Sequence, residues 1–249
     1  MSILLLVLIC LFEYLRRWHS VAKLPPNLLQ GDVLLIFAHP DDEAMFFSPL
    51  LNYLRSNNVI CHFLCFSSGD SEGKGEQREQ ELYESGKYFG VTKRNIKIVN
   101  HPELRDGLKE KWSHTLVKLE VNAYLRKNGS ISTLVTFDKF GVSGHPNHIA
   151  VHNGVLGLKR GMPPGLLFLQ LRSRSILSKY TGIFSVLSPL LFMKENRDRR
   201  NFFIPIPPFS LLCTWNAMMN HATQLVWFRY LFVIFSSYTY LNEFTEMRI

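Results

Sequence analysis

The sequence predicts an α/β domain: a mostly parallel, doubly wound sheet flanked by helices. Three observations point there. Between residues 31 and 171, short apolar runs alternate with longer amphipathic stretches, the order of a strand–helix–strand repeat. The first of these runs, Val33-Leu34-Leu35-Ile36-Phe37-Ala38, is continuous, as in strands buried on both faces. Two histidine-bearing polar clusters, His39-Pro40-Asp41-Asp42-Glu43 and Gly144-His145-Pro146-Asn147-His148, follow the first and fourth runs. Open α/β sheets bind ligands beyond the carboxyl ends of their strands, where these clusters fall.

The elements follow in order. Residues 33–38 read as the first strand and 44–56 as a helix. Residues 59–66 form a second strand, 67–75 a polar glycine-containing loop, and 76–89 a helix. A short strand at 96–99 precedes a helix at 112–127, which Gly129 closes. Residues 132–137 form the fourth strand, 146–159 a helix that Pro146 opens, and 166–171 a fifth strand.

The two ends differ from this core. Residues 3–12 are an unbroken apolar run followed by Glu13, Arg16 and Arg17. It is short for a full membrane span of about 20 residues. A membrane anchor over residues 1–20, with the arginines on the cytoplasmic side, is the expectation. A cleaved signal segment ending near Ser20-Val21-Ala22 and a buried helix are the alternatives. Toward the other end, residues 202–215 are apolar but broken by Pro205, Pro207 and Pro208, which rules out a continuous helix. Residues 225–241 are apolar and aromatic with one charge, Arg229. An interfacial helix in the headgroup region and packing onto the core both fit this apolar C-terminal extension.

The chain has 249 residues, 47% of them apolar, and a net charge of +8. The charge is uneven: residues 159–200 hold nine Lys/Arg against two Asp/Glu. No stripe of interleaved aromatic and basic residues suggests nucleic acid. The apolar neighbourhood favours a membrane or phospholipid, and a solvated basic face is the plainer reading. The four cysteines, Cys10, Cys61, Cys65 and Cys213, form neither a disulfide framework nor a metal knuckle, and buried free thiols are expected.

Together the clusters hold the parts of a metal-assisted hydrolase. His39 and Asp42 stand three apart at a strand-to-helix turn, as do His145 and His148, so each pair shares a face. His39, Asp42 and His148 would present two nitrogens and an oxygen, leaving a position open for water. Asp41 could take a proton from that water, and His145 could donate to the departing amine or the oxyanion. Zinc, iron and cobalt all accept this ligand set. Taken singly, each cluster also fits a plain helix start.

These residues resemble the LmbE-like de-N-acetylase superfamily. The likeness rests on the His-Pro-Asp-Asp-Glu and His-Pro-x-His clusters, the Gly75–Leu82 stretch with Arg78, and Leu104-Arg105-Asp106-Gly107. Phe137-Asp138, Gly141-Val142-Ser143-Gly144, Leu177-Ser178-Lys179-Tyr180 and Trp227-Phe228-Arg229-Tyr230-Leu231 extend it over residues 30–242. The resemblance implies a Rossmann-like domain and zinc-dependent removal of acetyl groups from N-acetylglucosamine conjugates. Within the superfamily the chain is most similar to the branch acting on N-acetylglucosaminyl-phosphatidylinositol. That activity is the second step of GPI-anchor synthesis, at the cytoplasmic face of the endoplasmic reticulum membrane. Carried over by motif, His39, Asp42 and His148 would hold Zn²⁺, Asp41 would be the base and His145 the acid or oxyanion partner. Arg78 and, more weakly, Asp106 would touch substrate, or else form a structural ion pair. Asn147 replaces an aspartate found in many relatives, which would make His145 harder to protonate. A superfamily enzyme for a soluble N-acetylglucosamine conjugate and a non-enzymatic membrane protein are the rival readings.

Overall fold

The computed structural model describes residues 22–25, 27–162, 165–189 and 201–248, together with Leu5, Leu8, Ile9 and Phe12. Its centre is a seven-stranded sheet in the order β3-β2-β1-β4-β5-β7-β6. The strands are β1 (Asp32–Phe37), β2 (Cys61–Cys65), β3 (Ile96–Ile98), β4 (Ile131–Phe137), β5 (Leu167–Leu171), β6 (Asn201–Pro205) and β7 (Leu241–Glu246). The first five are parallel, as their connecting helices require. β7 runs antiparallel to both β5 and β6, so the sheet is mixed.

The helices that build the core and the site are α1 (Asp42–Ser56), α2 (Gly75–Tyr88), α3 (His114–Lys127), α4 (Pro146–Lys159), the single turn α5 (Ile176–Lys179), α6 (Cys213–Met218) and α7 (Trp227–Phe235), with a further turn at Gly141–Gly144. They divide the core into two layers. Val33, Leu35 and Phe37 of β1 pack with α1, α6 and the C-terminal residues Phe202, Ile204 and Phe244. Leu34, Ile36 and Ala38 point the other way, onto α3 and α4. The continuous apolar run is thus a two-sided strand with the period of two that a pleat imposes.

The C-terminal extension is part of the domain rather than an appendage. β6 and β7 complete the sheet, and β7 runs past residue 242. At the other end Lys23 exchanges two backbone hydrogen bonds with Phe203 and Leu28 is fully buried, so the fold begins before residue 30. Asn242 shows why the extension matters. Pro49 interrupts α1, and the regular Leu50-to-Phe46 bond is replaced by one side chain. The Leu50 N–H donates to Asn242 Oδ1 at 3.1 Å, and Asn242 Nδ2 donates to the Phe46 carbonyl at 2.8 Å.

Leu5, Leu8, Ile9 and Phe12 are helical and exposed, and the rest of the expected anchor lies outside the described residues. Among the described residues no helix is long and apolar enough to cross a membrane. Residues 225–241 form α7, a 3₁₀ turn and the start of β7, and only the nine residues of α7 are α-helical. Cys61, Cys65 and Cys213 are free and buried, and Cys10 lies outside the described residues. Part of the basic stretch makes contacts within the fold. Arg172 and Arg174 pair with Glu243 at 2.6 and 3.6 Å, and buried Lys179 donates to the Val142 carbonyl at 2.8 Å. Residues 190–200 lie outside the described residues.

Candidate active site

β1 and β4 are neighbours, but the chain leaves them for opposite halves of the sheet, β2 and β5. That reversal opens a crevice at their carboxyl ends. The crevice is a cavity of about 610 Å³, and His39, Asp41, Asp42, His145 and His148 all line it.

Asp42 opens α1, and its Oδ2 accepts the backbone N–H groups of Ala38 (3.1 Å) and His39 (2.9 Å). This leaves Oδ1 facing His148 Nε2 at 3.2 Å. His148 is fixed from three sides. Its ring stacks on Phe137 at 4.1 Å and on His145 at 4.7 Å, and its Nδ1–H donates to the Gly141 carbonyl at 3.2 Å. Gly141 (φ 56°) permits this approach, since a Cβ there would lie 2.9 Å from that of His148. The next residue, Val142, is forced to φ 63° although it is β-branched. Its N–H donates to Ser173 Oγ, which in turn donates to Asp138.

His39 Nε2 lies 3.1 Å from Asp106 Oδ1, and donation there leaves Nδ1 toward Asp42 Oδ2 at 3.7 Å. Asp106 therefore orients a candidate ligand, the arrangement that sets ring tautomer at metal sites. Burial raises the pKa of Asp106, but the hydrogen bond and charge of His39, then Arg78, outweigh it and hold it at about 2. Arg78 is itself locked: its guanidinium donates to the carbonyls of Gly69 (2.8 Å) and Pro40 (2.7 Å). It lies 3.4 Å from Asp106 and 3.8 Å from Asp41. Gly69 (φ 73°) is required there, because a Cβ would sit 2.3 Å from that guanidinium.

The donor set fits a divalent cation. One ligand atom each from His39, Asp42 and His148 can be chosen so that all lie within 4.8 Å of one another, and all three residues are buried. With its Nδ1–H committed to Gly141, His148 turns a lone pair toward a carboxylate oxygen. Two acceptors face each other unless a cation or a proton lies between them. His39, Asp106 and His145 form a second such trio sharing His39.

Asp41 occupies the left-handed region at φ 103°, just before α1. Its backbone N–H donates to Glu43 Oε2 at 3.1 Å. Glu43 is in turn held by Ser85 Oγ at 2.6 Å and by fully buried His221 at 2.5 Å. Asp41 Oδ2 sits 3.2 Å from Arg229 of α7 but receives no aligned hydrogen bond. Burial raises the Asp41 pKa, and the charges of Arg229 and Arg78 only partly oppose that rise. A carboxylate with an unfilled acceptor and a raised pKa is suited to accept a proton.

His145 caps α4, its Nδ1 accepting the Asn147 N–H at 3.3 Å. The neutral ring then carries its proton on Nε2. Burial and the neighbouring His148 and His39 lower its pKa to about 4, against the pull of Asp42 and Asp106. Asn147 meets this ring only through its backbone. Its side chain turns instead to the Arg105 carbonyl at 3.2 Å and to His39 at 3.3 Å. The Asn147 side chain thus borders His39 and Arg105 rather than the His145 ring.

All seven residues expected at the site line this one cavity. Three further participants escaped the sequence reading. Arg229 stands in the sequence as a charge within an apolar stretch and inside the Trp227–Leu231 resemblance, with no role attached to it. Glu43 was one acid among three, and His221 lies outside any motif. A lone arginine in a strongly amphipathic segment was the one available signal.

The family model described as GlcNAc-PI de-N-acetylase matches residues 34–158. A probable N-acetylglucosaminyl-phosphatidylinositol de-N-acetylase of Schizosaccharomyces pombe is 36% identical, over 85% of each chain. The chain belongs to the GlcNAc-PI de-N-acetylase family. The Bos taurus N-acetylglucosaminyl-phosphatidylinositol de-N-acetylase is 34% identical over 84% of this chain and 81% of its own. Among solved structures, the N,N'-diacetylchitobiose deacetylase of Pyrococcus horikoshii superposes with a TM-score of 0.63 at 18% identity. That match covers 95% of this chain and 91% of the other, and it shows a shared fold. As a member of this family the chain is a deacetylase, a hydrolase of amide bonds.

Proposed function

We propose that this chain removes the acetyl group from N-acetylglucosaminyl-phosphatidylinositol, releasing acetate and a glucosaminyl lipid for GPI-anchor synthesis. The observation that carries this reading is the joining of the two histidine clusters in one cavity of a de-N-acetylase family member. His39, Asp42 and His148 would hold the metal, with Zn²⁺ the expected ion. When bound, it supplies Lewis acidity toward the amide carbonyl and toward water. Asp41 accepts the proton of the attacking water, and Arg229 and Arg78 restrain its carboxylate. The His145 Nε2–H donates to the developing oxyanion or to the amine as it leaves, and its tautomer is preset by the Asn147 N–H. Asp106 holds the His39 ring, and Arg78 braces the loop carrying Asp41.

The test is acetate release from N-acetylglucosaminyl-phosphatidylinositol in detergent. Wild type, His148→Ala and Asp41→Asn would each be stripped by chelation and resupplied with Zn²⁺. Wild type should recover activity with zinc. His148→Ala should lose both bound metal and turnover. Asp41→Asn should keep metal while kcat falls about 10²- to 10⁴-fold. Full turnover by His148→Ala at normal metal content would overturn the ligand assignment. Activity confined to lipid-free N-acetyl sugars would overturn the substrate.

A further inference from the structure

Some of the largest exposed apolar side chains converge beside the catalytic cavity. On α7, Trp227 is 74% exposed, and Phe228, Leu231 and Ile234 also face outward. The α5 turn adds Ile176 and Leu177, the latter 88% exposed. The chain just after the α5 turn adjoins α7: Tyr180 packs edge-on against Phe232, and the backbone at Gly182 lies beside the carbonyls of Ile234 and Phe235. Isolated exposed leucines are ordinary in soluble proteins, but a contiguous patch of this size marks an interaction site.

We infer that this face, α7 with the α5 turn, lies in the interfacial layer of a phospholipid bilayer and that the cavity opens into it. The inference rests on the substrate reading above. Trp227, Phe228 and Leu231 belong both to the patch and to the cavity wall. Whatever covers the patch therefore also covers the entrance. A protein seated there would stand between the cavity and a diacyl lipid, whereas a bilayer delivers that lipid with its acyl chains still buried. The side chains agree: Trp and Tyr favour the membrane interface, and α7 has one strongly apolar face. The inner side of the same helix carries Arg229, which meets Asp41 at 3.2 Å. One short helix thus contacts the base from within and presents its apolar face outward.

The apolar N-terminal run could tether the full chain by itself, so bulk binding to vesicles does not discriminate. Immersion depth at chosen positions does. Spin labels would be placed on Leu177→Cys, Ile234→Cys and, on exposed α3 of the opposite layer, Leu119→Cys, in a full-length Cys10→Ser background whose other cysteines are buried. With vesicles of phosphatidylcholine and phosphatidylinositol, labels at 177 and 234 should gain oxygen access and lose nickel-chelate access, while 119 stays aqueous. Equal nickel access at all three positions would overturn the proposal, whether or not the enzyme turns over. Immersion of 177 and 234 without any glycolipid turnover would sustain the surface and sink the substrate reading instead.

A second arm uses Leu177→Glu with Ile234→Glu, neither of which lines the cavity. KM for vesicle-embedded substrate should rise at least about tenfold, because each side chain contributes more than one decade of partitioning. Turnover of a lipid-free N-acetylglucosaminyl-inositol phosphate should be unchanged. Parallel loss on both substrates would mean the residues act through folding and would overturn the proposal. Binding of a protein to the face in preference to vesicles would overturn it as well.

Discussion

Asp41 illustrates the residue scale. A base must be held still, kept partly dry and left with a free lone pair. For Asp41, the base we propose, a left-handed backbone, the Glu43 carboxylate on its N–H and two arginines near its oxygens meet those needs. The Glu43–His221 pair that anchors this turn is wholly buried. Burial opposes charge on His221, but the Glu43 carboxylate, with Asp41 and Glu81, outweighs it and raises the pKa. A raised folded-state pKa stabilises the protein below the unfolded value, near 6.5. That contribution is lost as pH climbs through the higher folded value. Urea unfolding should therefore show stability falling as pH rises above about 6.5 in wild type and a flatter profile in His221→Gln. Glu43→Gln should cost about 3–5 kcal/mol, since it strands a buried partner. An identical pH profile in both proteins would remove His221 from this role.

At the scale of elements, α1 depends on β7. Pro49 was visible inside the predicted helix, yet the helix runs through it because Asn242 supplies the missing partners. Orphaned buried groups cost about 1–3 kcal/mol each. Asn242→Leu should thus lower the unfolding free energy by about 2 kcal/mol or more. Adding Pro49→Ala should restore part of the loss, because α1 can then close its own Phe46–Leu50 bond. Additive losses in the double variant, read from denaturant midpoints, would contradict this account. The same dependence makes the C-terminal extension necessary to the site, since α1 carries Asp42 and Met45 into the cavity.

At the scale of the molecule, the sheet's reversal between β1 and β4 gathers residues distant in sequence, and the C-terminal segment roofs the result with α7. The orientation at the membrane bears on Asn128-Gly129-Ser130, a glycosylation sequon at the end of α3. If the catalytic domain lies on the cytosolic side, as the charges flanking the apolar N-terminal run lead one to expect, this sequon should stay unmodified when the protein is made in cells. A glycosidase-sensitive shift in gel mobility, abolished by Asn128→Gln, would place the domain in the lumen.

The five parallel strands were legible in the sequence, because each is a short local segment rich in apolar residues set between longer helical segments. The two histidine clusters were legible for the same reason: their spacing is set by a single turn of backbone. The antiparallel pair β6–β7 was not legible. Prolines break its approach, and β7 (Leu-Asn-Glu-Phe-Thr-Glu) sets polar residues in adjacent pairs, without the alternation of a strand. Nor could Arg229 be assigned to Asp41, or His221 to Glu43, because those contacts join segments 188 and 178 residues apart. Local spacing decides which side chains share one face of an element. Only the closing of the sheet and the docking of α7 decide which elements then face one another.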